Sequence, residues 1–180
     1  MSKSLRVGIV GGGIGGVALA RSLRLSGIDA YVFERANAFG EIGAGVQMTP
    51  NAAKVLRALG LGEELARIGF LPNAMVGRNW DDARELFHTP LREVCPELFG
   101  ADFWHVHRAD LHAILCQGIP ADRVRFNVSC TGITQLKDKA VAHFSDGTQF
   151  EADLIVGADG IHSVVRDSLW GKTPSQYTGH

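Results

Sequence analysis

The chain has 180 residues, 46% of them hydrophobic and 21% charged, with a formal net charge of −1. That length supports one domain with a real core, and the charge balance gives no electrostatic case for nucleic acid. The first residues lack a signal peptide's basic region and apolar core and no segment reaches transmembrane length, while Cys95, Cys116 and Cys130, odd in number and without C-x-x-C spacing, read as reduced thiols of a cytoplasmic protein.

The run Leu5 to Val10 leads straight into Gly11-Gly12-Gly13-Ile14-Gly15-Gly16. This is G-x-G-x-x-G with a strand before it and a helical pattern after it. Gly11 allows the tight turn, Gly13 lets backbone approach a pyrophosphate, and Gly16 lets helix pack closely on strand. The helix N-terminus adds N–H groups and partial positive charge for phosphates. No Lys-Ser/Thr follows, which disfavours a P-loop. The helix is expected from Gly15 to Leu25, with Gly27 just past its end. Ala30 to Phe33 reads as a second buried strand. It ends in Glu34, where an acid binds ribose hydroxyls and repels a 2′-phosphate. NADP is therefore disfavoured at this site, while NAD and FAD both fit.

Residues 36–48 read as a long loop whose Gly43 and Gly45 would let main chain lie against a flat ligand. Thr49 and Pro50 open a helix stopped by Gly60, and Glu63 to Ile68 forms another, ending at Gly69. Residues 75–90 read as a β-hairpin that interrupts the α/β pattern, an excursion into a second subdomain. Leu91 to Asp102 is expected to be irregular. Trp104 to His107 is extended, and Arg108 to Leu115 is a helix closed by Gly118. Val124 to Val128 is a strand. Gly132 to Leu136, Ala140 to Phe144 and Gln149 to Glu151 make a meander, turned at Asp146-Gly147. Asp153 to Gly157 is a further buried strand. It delivers Ala158-Asp159-Gly160 to its C-terminal end, where ligands bind in open α/β sheets; a helix from His162 to Trp170 follows.

Four elements in order resemble the N-terminal half of the class A flavoprotein monooxygenases, the family of salicylate hydroxylase and other aromatic-ring hydroxylases. They are Gly11–Gly16 with Glu34-Arg35, Gly43-Ala44-Gly45-Val46-Gln47 leading into Thr49-Pro50-Asn51, His107-Arg108-Ala109-Asp110-Leu111, and Gly157-Ala158-Asp159-Gly160 with Ser163 and Val165-Arg166. The resemblance implies an α/β fold: a Rossmann-like FAD-binding domain of the GR2 type, with a small β-meander and a β-hairpin belonging to a substrate subdomain. It implies FAD-binding parts at 1–74 and 101–171, a substrate-subdomain excursion at 75–100, and the start of a truncated substrate domain at 172–180. It also implies FAD as bound cofactor, NADH or NADPH as transient donor, and hydroxylation of a small aromatic compound by O2 through a flavin hydroperoxide.

Residue by residue, the resemblance assigns Gly11, Gly13, Gly15 and Gly16 to the pyrophosphate, Glu34 to the adenosine ribose and Arg35 to the adenine side. Gly45, Val46 and Gln47 approach the flavin end, and Arg108 the ribityl–pyrophosphate region, where a guanidinium fork suits phosphate oxygens. The strand at Val128-Ser129-Cys130 offers backbone to adenine. Asp159 belongs to an Asp-Gly motif linked to FAD and nicotinamide. As an acceptor it suits a ribose or a cationic side chain such as Arg166, which could instead pair around Asp167. Family members carry a second half with a Gly-Asp motif and most of the substrate sheet, so the chain is expected to be a fragment, inactive alone and retaining FAD weakly. The other readings are a non-catalytic nucleotide-binding module, or an epoxidase or reductase sharing this first half. His105, His107 and His112 are read as packing or hydrogen-bonding residues, with no metal expected, and Cys130 as a small core residue.

Overall fold

The computed structural model describes residues 5–40, 43–174 and 176–179. It divides into two compact units, Met1–Gly40 with Leu115–His180, and Glu41–Ile114.

The first unit is built on a parallel sheet of β1 (Arg6–Val10), β2 (Asp29–Phe33), β7 (Val124–Arg125) and β11 (Leu154–Gly157), in the order β11-β1-β2-β7. Val7, Ile9, Val10, Ala30, Val32 and Phe33 are buried, the unbroken apolar pattern of strands covered on both faces. One face takes α1 (Ile14–Leu25), where Ala20 joins Val7, Ile9, Ala30 and Val32 in a core. The other takes the antiparallel meander β8 (Cys130–Gln135), β9 (Ala140–Phe144) and β10 (Gln149–Ala152). Phe33, Phe144 and Phe150 fill that second core, with ring centroids 4.5 and 4.7 Å from Phe33. Each such buried ring contributes about 1.5–3 kcal/mol of burial. This is the α/β, Rossmann-like layering with a meander that the sequence predicts.

Local signals explain the joints. α1 ends at Ser26, and Gly27 takes φ +73° while its N–H donates to the Arg24 carbonyl at 2.9 Å. This left-handed cap turns the chain back so that Asp29 pairs with Arg6. At that end of the sheet the Arg6 guanidinium lies over the adjoining Phe150 and Tyr31 rings, 4.2 and 5.0 Å from their centroids, and Arg123 lies 4.7 Å from Tyr31. The strand expected over 124–128 is shorter: β7 stops at Arg125, and Asn127, at φ +58°, turns the chain toward the meander.

The second unit opens with a ribbon of β3 (Gly45–Met48) and β6 (Trp104–His107), antiparallel with Gly45 opposite His107. The sequence read β3 as loop; its partner lies far along the chain, so no local pattern announces it. α2 (Pro50–Ala58) starts with Thr49 at the N-cap and Pro50 in its first turn, as expected, but the Thr49 hydroxyl accepts no capping N–H. It donates to Asn51 instead. α3 (Gly62–Ile68) follows, then the hairpin β4 (Met75–Arg78) and β5 (Glu85–Thr89). The stretch expected to be irregular contains a helix, α4 (Leu91–Phe99). Pro96 inside it hid the pattern, yet Leu91 and Cys95, one turn apart, bury a stripe against Phe103, and packing outweighs propensity. α5 (Arg108–Cys116) begins in this unit, and α6 (Val164–Trp170) belongs to the first. Among the described residues no helix is long and apolar enough to cross a membrane.

Candidate functional site

In the first unit, β1, β2 and β11 run parallel and end side by side. Their C-terminal ends bring Gly11–Gly16, Glu34 and Asp159 together, although these lie far apart in sequence. The Gly11 N–H donates to the Phe33 carbonyl at 2.8 Å, and Ala158 N–H to the Val10 carbonyl at 2.7 Å.

Two glycines are demanded by sterics. Gly11 has φ +105°, and a Cβ there would lie 2.3 Å from the Ala158 carbonyl oxygen. A Cβ on Gly16 would lie 1.9 Å from the Gly11 oxygen. Gly15 differs: it is exposed and a Cβ there meets nothing within 4 Å. Gly13 is the α1 N-cap in extended conformation, φ −70°, ψ 180°, with no side chain to cap the helix. The first-turn N–H groups of Ile14, Gly15 and Gly16 have no acceptor within the helix, and that turn holds no acid. The arrangement is a positively polarised patch of backbone that fits a pyrophosphate.

Glu34 closes one side. Its Oε2 accepts from Gly12 N–H at 2.6 Å and its Oε1 from Ala36 N–H at 2.8 Å. The carboxylate is therefore held at the glycine turn, with lone pairs left for ribose hydroxyls. Arg35 is exposed beside it. Gly12 itself is covered by Phe39, whose ring would lie 2.8 Å from a Cβ there and which packs edge-on against Phe126 at 4.8 Å. Sequence reading passed over Phe39; an aromatic residue closing a loop just after Glu34 was the available signal.

Asp159 has a defined structural task. Its Oδ1 accepts from the Ser163 hydroxyl at 2.5 Å, and its Oδ2 from Val164 N–H at 2.7 Å and Val165 N–H at 3.2 Å. The Ser163 oxygen in turn accepts from Arg166 N–H at 3.0 Å. Together they cap α6. The Arg166 guanidinium pairs with Asp167 at 2.7 Å and donates to the Ile161 carbonyl at 3.0 Å, which resolves the Arg166 alternative in favour of Asp167. Cys130 sits nearby, half-buried, with its thiol donating to the Gly132 carbonyl at 3.6 Å. Burial pushes this thiol up, with a smaller push from the Asp159 charge, so it is held in the protonated form of an ordinary packing residue.

The second unit gathers the other candidates. Gly45, Val46 and Gln47 lie on β3 opposite His107, Val106 and His105. Val46 is half-buried, and Gly45 and Gln47 are exposed. Arg108, at the start of α5, donates its N–H to the Ala44 carbonyl at 3.2 Å. Its aliphatic stem lies over Gly43.

Comparison with known proteins matches this construction. The chain is 41% identical over 180 residues to 3-amino-4-hydroxybenzoate 2-monooxygenase of Streptomyces cremeus, covering 100% of this chain and 45% of that protein. It is 41% identical over 172 residues to salicylate hydroxylase of Pseudomonas putida, covering 92% of this chain and 38% of that protein. Among solved structures, Klebsiella pneumoniae HpxO complexed with FAD and uric acid superposes with a TM-score of 0.83 at 30% identity, over 94% of this chain and 43% of that one. The chain thus spans less than half the length of these relatives. A family described as the FAD binding domain matches residues 4–178. With that match spanning nearly its whole length, the chain belongs to the FAD binding domain family.

Proposed function

We propose that this chain is the FAD-binding portion of a monooxygenase that hydroxylates a small aromatic acid or related ring. The observation that carries the reading is the exposed, uncapped N-terminus of α1 over Gly15, flanked by Glu34. FAD, when bound, supplies the two-electron chemistry, accepting electrons from NADH or NADPH and passing them to O2.

The chain's own residues bind and orient. Gly11 and Gly16 shape the turn; Gly13 and Gly15 keep it bare so that backbone N–H groups meet the pyrophosphate. Glu34 takes the adenosine ribose, and its charge disfavours a 2′-phosphate there. Arg35 lies on the adenine side, and the backbone around Cys130 offers hydrogen bonds to adenine. Gly45, Val46 and Gln47 face the flavin end, and Arg108 pairs with phosphate oxygens. Asp159 sets the turn on which nicotinamide access depends. The hairpin of β4 and β5 belongs to a substrate subdomain; Val76, Leu86 and Phe87 on it are exposed, which suits strands that continue into a larger sheet. Cys95, Cys116 and Cys130, odd in number and without C-x-x-C spacing, support a reducing, cytoplasmic setting.

The test is NAD(P)H oxidation and O2 uptake by the full-length protein with a panel of hydroxybenzoates, aminobenzoates and hydroxypyridine carboxylates. At least one should stimulate oxidation with matching formation of hydroxylated product. Tight FAD without any stimulated turnover would instead assign the protein to nucleotide binding alone.

A further inference from the structure

We propose that Gly43 is a positioning residue for Arg108: its missing side chain is the seat that fixes the arginine stem. A Cβ at Gly43 would lie 2.6 Å from Arg108 Cβ, 3.1 Å from Cδ and 3.2 Å from Cγ. Three successive regions of the stem therefore rest on one glycine. Gly43 is not among the glycines with positive φ, so its backbone conformation does not demand glycine; the three atoms nearest to a side chain there all belong to the arginine.

The neighbouring contacts make the seat specific. The Arg108 N–H is held by the Ala44 carbonyl at 3.2 Å, and Gly45 pairs with His107. Backbone and stem are thus both fixed by residues 43–45. A Cβ on Gly45, by contrast, would meet only the Val106 oxygen, at 4.0 Å. The two glycines of Gly-Ala-Gly do different things: Gly45 leaves room, and Gly43 receives the arginine. A long, mobile side chain loses rotamer freedom when it grips a phosphate, and fixing its stem in advance reduces that loss.

The inference rests on the reading that Arg108 meets the FAD pyrophosphate. The experiment is titration of FAD into the full-length apoprotein for four forms: wild type, Gly43→Ala, Arg108→Gly, and the double variant. Arg108→Gly should weaken FAD about 10- to 100-fold, the range for a charge-assisted hydrogen bond. Gly43→Ala should weaken it by about tenfold, and its salt dependence should flatten toward that of Arg108→Gly. In the double variant, where no stem remains to collide, Gly43→Ala should add less than about twofold, the non-additivity expected of a pair in contact. Equal losses from Gly43→Ala with and without the arginine overturn the inference while leaving the FAD site intact. Wild-type affinity in Arg108→Gly overturns the role of Arg108, and wild type that fails to bind FAD overturns the functional reading itself. Thermal unfolding without FAD accompanies each titration; if Gly43→Ala does not fold but the double variant does, the collision with the stem is demonstrated directly.

Discussion

Two strand-to-helix turns stand side by side in this chain and are finished in opposite ways. After β1, the turn at Gly11–Gly16 leads into α1 with no side-chain cap and no acid in the first turn. After β11, the turn at Ala158–Ser163 leads into α6, and its N–H groups are taken by Asp159 and Ser163. The two turns touch: a Cβ on Gly11 would run into the Ala158 carbonyl. The first-turn N–H groups of α1 have no acceptor within the helix and stand open at Gly15, whereas those of α6 are taken by side chains. The first turn leaves N–H groups open for the proposed pyrophosphate, and the second, closed by its own side chains, packs against it.

The largest perturbation of this pair is Gly16→Ala. Its Cβ would strike backbone at 1.9 Å, which no side-chain rotation relieves. A loss of about 3 kcal/mol is expected, read as a lower unfolding midpoint together with loss of FAD binding. Asp159→Ala comes next. It removes the acceptor for two backbone N–H groups and a hydroxyl, and should destabilise the fold by about 2 kcal/mol. Ser163→Ala, which removes one capping acceptor, should cost about half as much. If Asp159→Ala left the unfolding midpoint unchanged but abolished FAD binding, Asp159 would be a ligand and the comparison would fail. Gly15→Ala is the smallest for the fold and the most discriminating. Its Cβ meets nothing, and alanine favours helix by about 1 kcal/mol. Stability should hold or rise while FAD affinity falls about tenfold through crowding of the phosphate. Undiminished affinity would move the pyrophosphate away from this turn.

What the sequence disclosed followed how local each determinant is. Gly11–Gly16, Gly27 and Gly60 announce turns because their conformations or contacts leave few alternatives, and Ala30–Phe33 announces a buried strand by composition alone. The meander was legible from Asp146-Gly147 and its flanking apolar alternation. β3 was not, because its pairing with β6 depends on residues far along the chain. α4 was hidden by Pro96, and only its packing on Phe103 explains it. In the site, the glycine turn was legible from its own spacing, since close packing restricts its residue types, whereas Arg108 was singled out only by the family resemblance. The capping task of Asp159 and the seating of Arg108 on Gly43 were not, because both are made by distances that no spacing in the sequence encodes.

One feature of the sheet sets when this site comes into being. β1 lies between β2 and β11, and the Arg6 N–H finds its acceptor on Asp153, 147 positions along the chain. β1 therefore leaves the ribosome well before its second neighbour, β11, has been made. At about 5–20 residues per second, that interval is on the order of 10 s. Gly11 and Gly16, which need Ala158 beside them, cannot take their final geometry before then. Non-local pairing of this kind slows folding and leaves the edge of β1 open during synthesis. The glycine turn that follows β1 is thus completed only after β11 has joined the sheet.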